Sequence, residues 1–211
     1  MKKTQTDKQL IRRLLEISYK NKLHHLGSYF SSIETIDEIY SNMKENDIFI
    51  LSNGHAAVAL YVVLEKHFGF NAQHLLDEMG EHPKRNEQKK VHCSTGSLGM
   101  GITVAVGRAI ADENKDVYCM ISDGECSEGS VWESLKYINE NNLKNIHIYV
   151  NANGWAAYDS VDLVYLEKRL KSFLPNVKFI KTTVEIYGLT GLSAHYVNFT
   201  EEQYLKALDS L

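Results

Sequence analysis

Proline is scarce in this sequence: only Pro83 and Pro175 occur among 211 residues. No proline-rich linker divides the chain, and its length suits one domain over residues 1–211. Cysteine is scarce as well, with three residues, Cys93, Cys119 and Cys126. An odd number with no C-x-x-C pair excludes a disulfide framework and a zinc ribbon, and such usage fits a reducing cytoplasm. Long apolar runs are missing too. The longest, Ala56 to Leu64, has nine residues, against about 20 for a membrane span. The basic start of the chain is no signal peptide, because Lys8, Gln9, Arg12 and Arg13 interrupt the apolar stretch it would need. Charge of one sign is not in excess either. The 23 Lys+Arg stand against 27 Asp+Glu, a net charge of −4, which lacks the basic face of a general nucleic-acid binder.

What is present reads as alternating secondary structure. Leu10, Leu14, Leu15 and Ile17 share one face at helical spacing over 9–19. Ser31 and Glu34 have capping-box spacing ahead of the stripe Ile36, Ile39 and Tyr40. Residues 48–51 form a short strand, 56–64 a buried helix closing near Gly69, and 80–90 a loop. The second half predicts helices over 102–111, 130–141, 163–173 and 201–211, with strands over 116–122, 146–150 and 177–184. Strand–helix–strand order implies an α/β fold, a parallel β-sheet flanked by helices. In such sheets ligands sit beyond the carboxyl ends of the strands. Two strands run into Asp123 and Asn153; if they are neighbours, both side chains reach one rim.

These residues have a chemistry in common. Carboxylate and amide oxygens are hard ligands suited to Mg²⁺, which commonly takes only one or two protein side chains plus phosphate and water. On spacing alone, Asp123 also fits a helix cap and Asn153-Gly154 a turn. Gly96-Ser97-Leu98-Gly99-Met100-Gly101 precedes a helix, where backbone N–H groups favour an anion. Close helix packing explains the same glycines. His25, His55 and His82 each lie in a turn-like segment beside Gly or Pro.

Taken together, these blocks resemble the transketolase family. Ser52-Asn53-Gly54-His55-Ala56 is similar to its S-x-G-H-A signature, and His25-Leu26-Gly27 to its early H-P-G turn. His82-Pro83 resembles its G-H-P segment, and Thr95 to Gly101 its T-G-S-L-G-Q-G. Ser122-Asp123-Gly124-Glu125 to Glu133 resembles G-D-G-E-x-x-E-G-x-x-W-E, which Asn153-Gly154 closes. The blocks keep the family's order over residues 10–155.

The resemblance implies a thiamine-diphosphate-binding fold with thiamine diphosphate and Mg²⁺ as cofactors. Asp123, Asn153 and the main-chain carbonyl of Trp155 would hold the metal. Gly96, Leu98 and Gly124 would touch the cofactor by backbone. His25, His55, His82 and, on a looser match, His195 would line the substrate channel, where neutral imidazoles suit proton shuttling. Glu128 and Glu133 would form an acid network at the interface between subunits; ordinary first-turn acids of a helix are the plainer reading. The implied reaction passes a two-carbon ketol unit from a ketose to an aldehyde acceptor.

The family's pyrimidine-binding and C-terminal domains have no counterpart here. The resemblance therefore implies the N-terminal subunit of a split enzyme, active with a partner chain carrying the pyrimidine-binding domain in a hetero-oligomer such as α2β2. The sequence departs at Ser122 for Gly, Leu26 for Pro and Asn151 for Asp. Between Trp155 and Lys181 it is about thirty residues shorter than the family. That shortening bears on the sugar handled, and a sugar of surface-polysaccharide synthesis is compatible with it. Rival readings are the α component of a 2-oxo acid dehydrogenase, against which the Ser52–Ala57 and His82-Pro83 blocks speak, and a non-catalytic cofactor-binding subunit. An NAD-dependent oxidoreductase lacks the required G-x-G-x-x-G after a strand.

Overall fold

In the computed structural model the described residues are 7–184, 186–196 and 198–211. Four parallel strands, β1 (Ile48–Leu51), β2 (Val117–Ser122), β3 (Ile146–Ala152) and β4 (Lys178–Lys181), lie side by side in chain order. Ile48 pairs with Val117, Val117 with Ile146, and Val150 with Phe179. The strands alternate between two cores, as successive residues of a strand must. Phe49, Leu51, Met120 and Tyr149 face a core shared with α1 (Lys8–Lys20), α2 (Leu26–Asn42), α3 (Ala57–Phe68) and α4 (Ala72–Met79). Ile50, Cys119, Ile121, Ile148 and Val150 face the other, shared with α5 (Met100–Ala111), α6 (Gly129–Glu140) and α7 (Leu163–Phe173). Both faces of the sheet are thus covered, the arrangement that strands apolar on both sides require. The short α8 (Leu192–Tyr196) and α9 (Glu201–Asp209) complete the chain, and α9 stacks Tyr204 on Tyr19 of α1 at 4.2 Å.

The predicted elements recur with four corrections. Ser31 and Glu34 do not start a helix. They lie inside α2, whose N-cap is His25, because the buried series Leu26, Tyr29, Ile33 and Ile36 keeps the helix continuous through them. The strand expected over 177–184 is confined to 178–181, since register with β3 ends where Ala152 meets Lys181. Two helices are additional to those predicted: α4 fills 72–79, capped by the Asn71 side chain on the His74 N–H, and the short α8 fills 192–196. The three cysteines are free and buried. Among the described residues no helix is long and apolar enough to cross a membrane.

The loop entering β3 is tied down by one amide. Asn145 Nδ2 donates to the carbonyls of Ala109, Asp112 and Lys115, at 2.9, 3.2 and 3.0 Å. It thereby satisfies acceptors left open at the end of α5. We expect Asn145→Ala to lower stability by about 1–2 kcal/mol in urea unfolding. Asn145→Asp should lower it further, because a carboxylate would then face three carbonyl oxygens.

Candidate functional site

The parallel sheet delivers the ends of β1, β2 and β3 to one edge, and a cavity of about 220 Å³ lies there. Its wall includes Asn53 and His55 beyond β1, Ser122 and Gly124 at and beyond the end of β2, and Asn151, Asn153 and Trp155 at and beyond the end of β3. The remaining sides come from His25 and Ser28 of the α2 start, His82, Gly96, Leu98, and His195 and Tyr196 of α8. Every histidine singled out in the sequence therefore reaches one cavity.

Asp123 sits just beneath this wall, between two residues that line it. It is 2% exposed, and its oxygens accept the N–H groups of Gly124 at 3.0 Å and Gly154 at 2.6 Å. The neighbouring strands thus bring the Asp123 and Asn153 turns together, as a shared rim requires. Burial pushes the Asp123 pKa up to about 6 despite those donors. Asn153 Oδ1 accepts the Trp155 N–H at 3.0 Å, and its Nδ2 donates to Ser31 Oγ at 3.3 Å.

Among the described residues no Lys or Arg lines the cavity, and no three His, Cys, Asp or Glu side chains converge as a metal cluster. An imidazole or thiolate metal site is not what these residues offer. A buried carboxylate beside a carboxamide, with no Lys or Arg in the cavity wall, fits a hard cation. A phosphate-bearing ligand would supply the remaining oxygens of such an ion.

The four imidazoles are close-set. The His25 ring centroid lies 5.5 Å from that of His55 and 6.2 Å from that of His82. His195 Nδ1 is 3.4 Å from Ser28 Oγ, and its Nε2 is buried without a partner. Gly27 makes room for this ring: a Cβ there would fall 2.8 Å from His195 Cε1. Burial lowers the pKa of His25, of His55 to about 3 and of His195 to about 4, and the neighbouring imidazoles add to the effect. At neutral pH these three rings are uncharged, each offering one donor and one acceptor nitrogen.

The glycine-rich segment divides its work. Gly96 and Leu98 line the cavity, but the Gly99 N–H, at the start of α5, is not open to a ligand. It donates to Glu125 Oε1 at 2.9 Å. Gly99 adopts φ 74°, and a Cβ there would collide with Ser130 Oγ and Glu128, so only glycine fits. Close packing thus accounts for Gly99, and the cavity for Gly96.

Glu125 was not distinguished in the sequence, where it is one acid within a longer block. It is fully buried and accepts from Ser52 Oγ at 2.7 Å, Gly99 N at 2.9 Å and Ser122 N at 3.0 Å. Asn151, Ser28 and Asn53 were equally unmarked as site residues. Glu128 and Glu133, by contrast, lie outside the cavity and are exposed; Glu128 is the N-cap residue of α6.

Two outcomes follow from this geometry. Glu125→Ala leaves three buried donors unpaired, and a loss of about 3 kcal/mol or more is expected in urea unfolding. Glu125→Gln keeps the volume but turns a donor toward a donor N–H, so it should lose less than alanine yet remain destabilised. The histidines set a pH dependence. Below about pH 6.5 the unfolded chain binds protons that the folded His55 and His195 refuse until about pH 3 and 4. Stability therefore falls as pH drops from 6.5 toward 4. Replacing one of them, as in His55→Gln, should flatten that fall by up to about 1.4 kcal/mol per pH unit in unfolding midpoints taken between pH 7 and 4.5.

Comparison with known proteins agrees with this geometry. A family profile described as transketolase, thiamine diphosphate binding domain, matches residues 26–175. One subunit of the apulose-4-phosphate transketolase of Phocaeicola vulgatus is 32% identical over 163 residues, covering 67% of this chain and 57% of that protein. Transketolase of Pongo abelii is 35% identical over 144 residues, 61% of this chain but 23% of the relative. The chain thus spans little more than half of one relative and about a quarter of the other. The transketolase structure of Campylobacter jejuni superposes with a TM-score of 0.67 at 18% identity, over 94% of this chain and 42% of that one, a likeness of fold. The chain belongs to the transketolase family, through its thiamine diphosphate-binding N-terminal domain.

Proposed function

We propose that residues 1–211 form a single thiamine-diphosphate-binding domain, the N-terminal component of a two-component enzyme that transfers a two-carbon ketol unit from a ketose to an aldehyde acceptor. The observation that carries this reading is the convergence of four imidazoles with the Asp123 and Asn153 turns on one cavity at the strand ends. Asp123, Asn153 and the Trp155 carbonyl would hold Mg²⁺, and the backbone at Gly96, Leu98 and Gly124 would meet the diphosphate. When bound, thiamine diphosphate supplies the nucleophilic carbon and the electron sink that let a carbon–carbon bond beside a carbonyl break.

The chain's own part is orientation and proton handling. His25, His55, His82 and His195 present ring nitrogens to substrate hydroxyls, and an uncharged ring at neutral pH accepts a proton at one nitrogen while donating from the other. Holding donor and acceptor sugars against these rings lowers the entropic part of the barrier. Both His82, which is exposed, and His195, which is 7% exposed, line the cavity. The Phocaeicola vulgatus relative is by its name one subunit among others, which supports a separately encoded partner here, one that would bring the pyrimidine-binding domain. Glu128 and Glu133, exposed on α6 and its N-cap, would face it or a second copy.

Calorimetric titration with thiamine diphosphate tests the site. Affinity should require Mg²⁺, and Asp123→Ala should weaken it at least tenfold; unchanged affinity would remove the metal assignment. Mixing the chain with its partner, thiamine diphosphate and Mg²⁺ should restore glycolaldehyde transfer. Full turnover by this chain alone would overturn the two-component reading, and oxidative decarboxylation of a 2-oxo acid would replace the reaction.

A further inference from the structure

Asn53 lies two residues beyond β1 and lines the cavity while being 0% exposed. Neither its Oδ1 nor its Nδ2 has a hydrogen-bond partner. Burying an amide in that state costs free energy, and native proteins rarely tolerate it without a purpose.

The backbone that carries this side chain is pinned. Its main-chain carbonyl accepts the Ala56 N–H at 2.8 Å, and Gly54 packs so tightly on the next segment that a Cβ would lie 2.5 Å from the Thr95 carbonyl carbon. The other carboxamides of the wall are already committed. Asn151 donates to Ser31 and Ser32 and accepts from Thr182 Oγ1 at 2.6 Å. Asn153 uses both of its polar atoms. With no Lys or Arg lining the cavity among the described residues, the side chains that can meet an anion there, beside any bound cation, are neutral hydrogen-bond donors.

We infer that Asn53 is a further ligand-binding residue, its Nδ2 donating to an anionic oxygen of a bound diphosphate and its Oδ1 accepting from a hydroxyl or water beside it. The inference rests on the thiamine diphosphate reading above. It makes Asn53 a liability in the free chain and an asset in the complex, whereas a structural amide would stabilise both.

Asn53→Leu and Asn53→Ala in the full chain separate these cases. Without ligand, the urea midpoint of Asn53→Leu should be unchanged or raised, because an apolar group replaces an unpaired amide. Affinity for thiamine diphosphate with Mg²⁺, and for pyrophosphate with Mg²⁺, should fall about tenfold or more in both variants, the loss expected of a hydrogen bond to a charged group. A lower midpoint for Asn53→Leu in the free chain would overturn the inference by showing an internal partner. Parental affinity in both variants would overturn it directly, and Asn53→Ala decides this point if the leucine variant does not fold. Weakened thiamine diphosphate binding with unchanged pyrophosphate binding would overturn the diphosphate contact. If the parent chain binds neither probe, the functional reading itself fails, an outcome distinct from parental binding lost or kept in the variants.

Discussion

The Glu125 carboxylate is shared by three chain segments that meet nowhere else in sequence: the Ser52 hydroxyl after β1, the Gly99 N–H opening α5, and the Ser122 N–H closing β2. A buried carboxylate is costly unless its oxygens are filled with donors, and here the donors are the loop ends that surround the cavity. Burial raises the pKa of Glu125 while those three hydrogen bonds oppose the rise. The loops cannot drift apart without stranding a buried carboxyl group and its three donors, so His55, Leu98 and Gly124, each within a few residues of a donor or of Glu125 itself, are held relative to one another.

A second tie works from the other face of the sheet. Asn151, near the end of β3, links Ser31 and Ser32 of α2 to Thr182 after β4. Because α2 begins at His25, the same helix that is clamped to the strand ends also positions an imidazole. The cavity is therefore held by polar ties in and behind its wall. Among the described residues no Lys or Arg lines it, which accords with a sequence that carries no basic excess.

Much of this was readable in the sequence, and for physical reasons. The strands at 48–51, 116–122 and 146–150 announce themselves as β-rich apolar runs closed by Asn, Asp and Gly, and parallel pairing alone then joins Asp123 to the Asn153 turn. His25, His55 and His82 could be assigned to one site because each sits in a recognisable block. What escaped was whatever depends on an unoccupied or shared hydrogen bond. Ser31 looked like a cap because its spacing to Glu34 is right, yet the apolar series on α2 outweighs a cap, and the hydroxyl serves Asn151 and Asn153 instead. Glu125 and Asn53 carry no periodicity or spacing that reveals three donors around one and none around the other. Helix α4 was missed because its 8 residues are too few to show a clear stripe.

The pairing of Gly27 with His195 carries a consequence for how the cavity comes into being. Ser28 and His195 are separated by 167 residues in sequence, and α9 lies beyond them, stacked on α1. During synthesis three of the four imidazoles leave the ribosome well before the fourth. Chain growth at about 5–20 residues per second leaves an interval of several seconds in which the pocket has no inner wall. The cavity is thus completed last, by closure of α8 and α9 on α2 and α1, and a chain still lacking those helices would display the sheet edge as an open, polar shelf.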